Sequence, residues 1–370
     1  MIYLDYNATT PLDPRVKEEI IKSFEEFGNP SSSHIAGKRA REIIESARAK
    51  VARLIDAEPE EIIFTSGGTE SNNLAIFGRA LCFNSGHVIT SSIEHPSVLN
   101  PCRQLARMGY DVTFLPVNSN GFVDPDDVKK AIRKDTILVT IMHSNNETGV
   151  IQPIKEIAEI LKERQIPFHT DCAQSIGKVR VSVKEIPVTM LTLAGHKFYA
   201  PKGIGALYIR KDFFIKPLLF GASHEKGLRP GTENTPYIAG LGKSAEIIHE
   251  EFDEITEHLN QVTELLLKGL LEIPDIKLNG AKAPRLPNTI NISIKGIEAT
   301  EFVKKLSDRV AISAGSACHA GIRKPSHVLL SMGVSSEEAL SSIRISTGKF
   351  TTFEEVNSAI EIIKQQLNVI

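Results

Sequence analysis

Four short stretches of the chain hold residue types able to do chemistry, and their spacing sets what that chemistry would be. In Thr65-Ser66-Gly67-Gly68-Thr69-Glu70-Ser71-Asn72, two glycines stand between a β-rich run and a helical pattern. Glycine lets backbone N–H groups approach an anion, and a helix N-terminus adds a positive dipole end. The same residues also read as an ordinary turn with Thr69 as N-cap, and they match neither the P-loop nor the dinucleotide fingerprint. Phe168-His169-Thr170-Asp171-Cys172-Ala173-Gln174 ends an apolar strand in an acid. A buried acid needs a cationic partner, either a protonated pyridine nitrogen or an Arg or Lys from elsewhere. Leu193-Ala194-Gly195-His196-Lys197-Phe198 ends a strand near an amine. Desolvation lowers an amine's pKa and makes it a nucleophile toward an aldehyde, whereas a lysine whose stem only snorkels stays inert. The fourth stretch, Ser313-Ala314-Gly315-Ser316-Ala317-Cys318-His319-Ala320-Gly321, surrounds a cysteine with small residues, a setting that suits a reactive thiol.

The elements that must position these groups follow from the hydrophobic pattern. Runs at Ile62 to Thr65, His87 to Ser91, Val112 to Pro116, Ile137 to Ile141 and Phe168 to Thr170 alternate with helical segments such as Pro153 to Arg164. This alternation predicts an α/β architecture with a mostly parallel sheet. In such sheets ligands bind beyond the carboxyl ends of the strands, which is where the first three stretches fall. After Thr235-Pro236, the residues Ile248, Phe252, Ile255, Leu259, Val262 and Leu266 form one continuous apolar stripe that predicts a long helix bridging two domains. Beyond it, Pro287 to Ile294, Ala299 to Leu306, Ala311 to Ser313, Ile343 to Ser346 and Phe353 to Leu367 suit a small α+β domain. With 370 residues, two domains are expected. Residues 15–250 would form the large one, and 1–14 with 251–370 the small one carrying the cysteine loop.

The net charge of −2 comes without long charged blocks, which disfavours nucleic acid or membrane partners and leaves small-molecule chemistry. The N-terminal residues turn polar at once and no stretch is long enough to span a bilayer, so a cytoplasmic location is expected. The four cysteines, Cys82, Cys102, Cys172 and Cys318, are too far apart for a disulfide framework or a zinc site, and the first three read as packing.

A phosphate cradle, an acid for a ring nitrogen and a lysine able to form a Schiff base are the parts a pyridoxal 5'-phosphate site requires. At this point the chain resembles the cysteine desulfurases, in the branch that includes selenocysteine lyases, among the class V aminotransferase-like, fold type I pyridoxal phosphate enzymes. The resemblance runs through Leu4 to Pro11, Gly28 to Ser32, Thr65 to Asn73, Ile93-Glu94-His95, Asn145 to Gly149, Asp171 to Ser175, Gly195-His196-Lys197, Arg229 to Thr232, Gly315 to Cys318 and Arg344 to Ser346. It implies that Lys197 forms the internal aldimine, that Asp171 pairs with the pyridinium nitrogen, and that Gln174 hydrogen-bonds the ring oxygen. His95 would stack on the ring and act as acid/base. Gly68, Thr69 and His196 would hold the phosphate, with Thr232 contributing across a homodimer interface. Asn7, Asn146 and Arg344 would bind the substrate, and Asn146 also the cofactor.

Cys318 would take sulfur from L-cysteine as a persulfide, leave L-alanine, and pass the sulfur to an acceptor protein. The alternative is a lyase releasing selenium from L-selenocysteine, toward which Cys318-His319 and Arg229 to Pro236 lean. One departure is Ala194, where many members carry a serine that contacts the phosphate.

Overall fold

Runs of residues that are apolar without alternation become strands buried on both faces. The computed structural model describes residues 1–315 and 324–367. A two-residue strand, β1 (Ile2–Tyr3), comes first, followed by the strands of the main sheet: β2 (Ile62–Thr65), β3 (His87–Ser91), β4 (Asp111–Leu115), β5 (Thr136–Thr140), β6 (Phe168–Asp171), β7 (Met190–Ala194) and β8 (Gly205–Ile209). They lie in the order β2-β8-β7-β6-β5-β3-β4. Only β8 runs against the rest, pairing antiparallel with β2 and β7. Apart from β4 at the edge, these strands are buried almost throughout.

Helices cover both faces. Those before and within the sheet are α1 (Pro14–Ser23), α2 (Ile35–Leu54), α3 (Gly68–Ala80), α4 (Pro96–Arg107), α5 (Pro125–Ala131) and α6 (Ile154–Glu163), and α7 (Thr235–Glu250) and α8 (Phe252–Leu271) follow it. One face packs on Ile44 and Val51 of α2, Ile157 and Leu161 of α6 and Leu241 of α7. The other packs on Leu74 and Ile76 of α3 and Val98 and Leu105 of α4.

The long stripe after Thr235 is two helices, not one. Glu251 leaves helical geometry (φ −101°, ψ 15°), and its carboxylate pairs with Arg15. Apolar residues at Ile248, Phe252 and Ile255 keep helical spacing through this break, so the pattern does not register it. Ile255 and Leu259 of α8 join the main core, whereas Val262, Leu266 and Leu270 join a second one.

The remaining elements are β9 (Ile276–Leu278), β10 (Thr289–Ile294), α9 (Ala299–Leu306), β11 (Val310–Ala311), β12 (Ser313–Ala314), α10 (His327–Ser331), α11 (Ser336–Leu340), β13 (Ser342–Ser346) and α12 (Phe353–Leu367). All pack on the second core except α10 and α11, which cluster with Ile93 and Met142. The run Ala311 to Ser313, expected as one strand, serves two sheets. β11 pairs parallel with β1, and β12 pairs antiparallel with β13 in the order β12-β13-β10-β9. Leu4 belongs to this core, and its carbonyl accepts from the Ser346 N–H at 2.8 Å. No helix among the described residues is long and apolar enough to cross a membrane.

Candidate active site

The carboxyl ends of the parallel strands open into a cleft of about 330 Å³, which is lined by Asn7, Gly68, Thr69, His95, Asn146, Asp171, Gln174, His196, Lys197 and Arg344, among others. This size suits a small cofactor with its substrate. β2 ends in the Thr65–Gly67 turn that starts α3, β3 leads to His95 at the N-cap of α4, β6 ends at Asp171, and β7 leads through Gly195 to Lys197. Ten of the twelve residues expected at the site thus share one cavity.

Lys197 is half-buried, and its Nζ donates to the carbonyls of Asn7 (2.6 Å) and Ala8 (2.8 Å). Burial lowers its pKa to about 8, with help from the Arg344 charge and against the pull of Asp171 and Asp5. Two residues on, Tyr199 holds a left-handed backbone (φ 70°), an uncommon state for a bulky residue. Its N–H donates to Thr10 Oγ1 at 2.8 Å, and the Thr10 N–H donates to the His196 carbonyl at 2.9 Å. The N-terminal residues and the Lys197 turn therefore hold each other in place.

Asp171 is buried, accepting from Asn72 Nδ2 (2.7 Å) and from the Ala173 N–H (2.9 Å). Among the described residues no Lys or Arg forms a salt bridge with it. Asn72 Nδ2 also donates to Ser97 Oγ at 2.8 Å, and that oxygen lies 2.7 Å from His95 Nδ1. The Ser97 backbone N–H, which can only donate, is 3.1 Å from the same nitrogen. Nδ1 is therefore an acceptor, and the proton of the neutral ring sits on Nε2. Burial lowers the pKa of His95, so this neutral form prevails at pH 7.

At the other end, α3 begins at Gly68 with Gly67 as N-cap (φ 147°), so Thr69 sits inside the first turn and is not the cap. The Ser66 N–H is taken by Glu70 at 2.8 Å. Gly205 on β8 lets this turn lie flush with the sheet, because a Cβ there would stand 2.7 Å from Gly67 Cα. Ala194 abuts Gly68 in the same way, a Cβ at residue 68 lying 3.2 Å from the Ala194 methyl. His196 is driven to a pKa of about 4 by burial and then by the Lys197 charge, so it meets an anion as a neutral hydrogen-bonding group.

Arg344 on β13 reaches in from the second core. It donates to the Asn146 carbonyl (3.0 Å) and to Asp5 (2.7 Å), and its buried Nε has no partner among the described residues. Asn7 donates from Nδ2 to Thr289 Oγ1 (2.9 Å) and to the Asn146 carbonyl (3.3 Å).

Two expected site residues are not among these ten. Thr232 lines a separate cleft with Asn29, Arg48, His224 and Glu225. Its segment is tied to the first cleft through Arg229, whose Nε lies 3.2 Å from Glu70. Cys318 lies outside the described residues. Before it, the Gly315 N–H is bonded to the Ser342 carbonyl at 3.1 Å, next to Arg344 on β13. The other cysteines fit their packing role: burial pushes the Cys102 thiol up to about 12, raises that of Cys172 as well, and Cys82 Sγ lies 3.3 Å from the Gly78 carbonyl.

The sequence matches the family described as aminotransferase class-V over residues 2–358. The chain belongs to the class-V aminotransferase family. Within it, the chain is 48% identical over 370 residues to the cysteine desulfurase IscS of Dictyoglomus turgidum, covering 98% of this chain and 94% of that protein. It is 46% identical to the cysteine desulfurase IscS of Methanosarcina thermophila, covering 98% and 91%. Among solved structures it is similar to a NifS-like protein, with a TM-score of 0.94 and 37% identity over 100% of both chains. Another neighbour, SspA in complex with cysteine, has a TM-score of 0.85 and 40% identity over 95% of this chain and all of that one. These class-V relatives do not bear out the lean toward selenocysteine lyases: the two IscS proteins are named for cysteine.

Proposed function

We propose that the chain is a pyridoxal phosphate-dependent cysteine desulfurase. One observation carries the cofactor reading: the weakened amine of Lys197 shares a cleft with a buried carboxylate, Asp171, that lacks an ionic partner among the described residues, and with the N-terminus of α3. Those three features match an aldehyde, a ring nitrogen and a phosphate, so the residues fit the group. The names of the class-V relatives and the cysteine-bound neighbour support the substrate. Bound there, pyridoxal phosphate supplies an aldehyde and an electron-withdrawing ring.

The chain's own groups do the rest. Gly68, Thr69 and neutral His196 would hold the phosphate, Asp171 would pair with the ring nitrogen, and Gln174 would donate to the ring oxygen. Arg344, whose Nε has no partner among the described residues, grips the substrate carboxylate with Asn146 and Asn7. Lys197, once free, moves the proton at the substrate Cα, and His95 Nε2 donates a proton. Cys318 as thiolate forms a bond to the substrate sulfur while the substrate C–S bond breaks. The electron pair left on carbon takes up a proton to give L-alanine, and Cys318 keeps the sulfur as a persulfide for an acceptor protein.

This reading assigns residues 15–250 to the cofactor-binding domain, and 1–14 with 251–370 to a small domain carrying Cys318. It also requires a homodimer, because Thr232 lies apart from the Lys197 cleft of its own chain and reaches a phosphate only in a partner's.

The test is product analysis. Protein reconstituted with pyridoxal phosphate and given L-cysteine should yield alanine and sulfane sulfur in equal amounts, and pyruvate with ammonia instead of alanine would overturn the reading. Asp171→Asn should lower kcat by roughly 10²–10³-fold, the factor expected when one member of a buried charge pair is removed. Steady-state kinetics on the reconstituted variant check it.

A further inference from the structure

Lys178 is a buried lysine, 4% exposed, with no carboxylate among its hydrogen-bond partners in the described residues. Its Nζ donates to two oxygens of one residue, the backbone carbonyl of Gln174 (2.9 Å) and the side-chain Oε1 (2.9 Å). Burial first, then the charges of Lys197 and Arg344, push its ammonium pKa well below the ordinary lysine value. An amine in such a place carries a desolvation penalty that an aliphatic side chain of similar length would not. Folding alone does not call for it.

The position of Gln174 gives a reason. Its amide lines the cleft, and its Nε2 donates to the Asn7 carbonyl at 2.9 Å, the same oxygen that receives Lys197 Nζ. A primary amide has two N–H groups, so one remains for an acceptor in the cleft. Lys178 occupies the opposite edge of that amide and keeps its oxygen turned away. It also grips the backbone of the segment that follows Asp171, the residue whose carboxylate lines the same wall.

We propose that Lys178 is a positioning residue for the cofactor, clamping Gln174 from behind so that the amide N–H edge faces the ring oxygen. The inference rests on the pyridoxal phosphate reading. Lys178 does not line the cleft; it acts through Gln174.

The experiment is a double-mutant cycle read by the affinity of the apoprotein for pyridoxal phosphate, followed by the visible absorption of the bound cofactor. Lys178→Met should weaken binding about tenfold, the value of one well-placed hydrogen bond, and shift the absorption maximum. In a Gln174→Ala background the same substitution should change neither. Lys178→Gln, which keeps an N–H donor on a neutral side chain, should recover part of the affinity, and it completes the cycle if the methionine variant fails to fold. Equal weakening in both backgrounds would make Lys178 merely structural and overturn the inference, as would unchanged affinity in the single variant. Wild-type protein that develops no visible band would instead overturn the cofactor reading itself.

Discussion

Lys197→Ala protein is expected to show no visible absorption band after incubation with pyridoxal phosphate, and to turn over L-cysteine at least about 10⁴-fold more slowly than wild type. The size follows from the absence of a substitute: the other buried amine nearby, Lys178, is engaged by Gln174. Lys197 also predicts a pH dependence. Only the neutral amine attacks an aldehyde, and its pKa is lowered to about 8. The rate at which wild-type apoprotein captures the cofactor should therefore rise about tenfold per pH unit below that value and level off above it. Stopped-flow absorbance measures this, and a profile still rising toward the ordinary lysine range would show that burial does not weaken the amine.

Cys318→Ala is expected to lower alanine formation from L-cysteine by roughly three orders of magnitude while leaving the absorption band of the bound cofactor intact. The separation of the two readouts is what matters. Phosphate cradle, ring acid and Lys197 all lie on the main sheet, whereas Cys318 follows β12 in the second core. Losing the thiol therefore removes the sulfur acceptor without disturbing what holds the cofactor. Quantified alanine and sulfide decide the matter: unimpaired alanine formation would remove the persulfide step, and pyruvate in place of alanine would return the site to a β-eliminating lyase, which needs Lys197 and no cysteine.

Much of this site was legible in the residues because strands buried on both faces are β-rich runs, and the polar residues at or just past the end of each mark the ligand end of the sheet. Asp171 and Lys197 were found that way. His95 and Arg344 were not, since their stretches resemble many others, and only the family resemblance singled them out. Three further things escaped. The tautomer of His95 depends on the Ser97 N–H, a backbone group with no side-chain signature. Asn72 stands four residues after Gly68, one helical turn from the cradle, which was the available clue to its contact with Asp171. Lys178 stands four residues after Gln174, but a lysine beside a glycine reads as solvent-exposed, and burial of a charge without a counter-charge breaks the rule by which a sequence is read. The break at Glu251 was invisible for the opposite reason: the apolar spacing continues through it.

The bond from the Asn7 N–H to Ser346 Oγ joins positions 339 residues apart. During synthesis, the peptide oxygens that cradle Lys197 emerge long before the strand bearing Arg344. The vitamin-binding pocket is thus a late product of folding, closed only after long-range pairing that is slow to form. A nascent chain stalled before residue 342 would have its reactive amine but not the walls that make it selective, so loading should wait until β13 has paired.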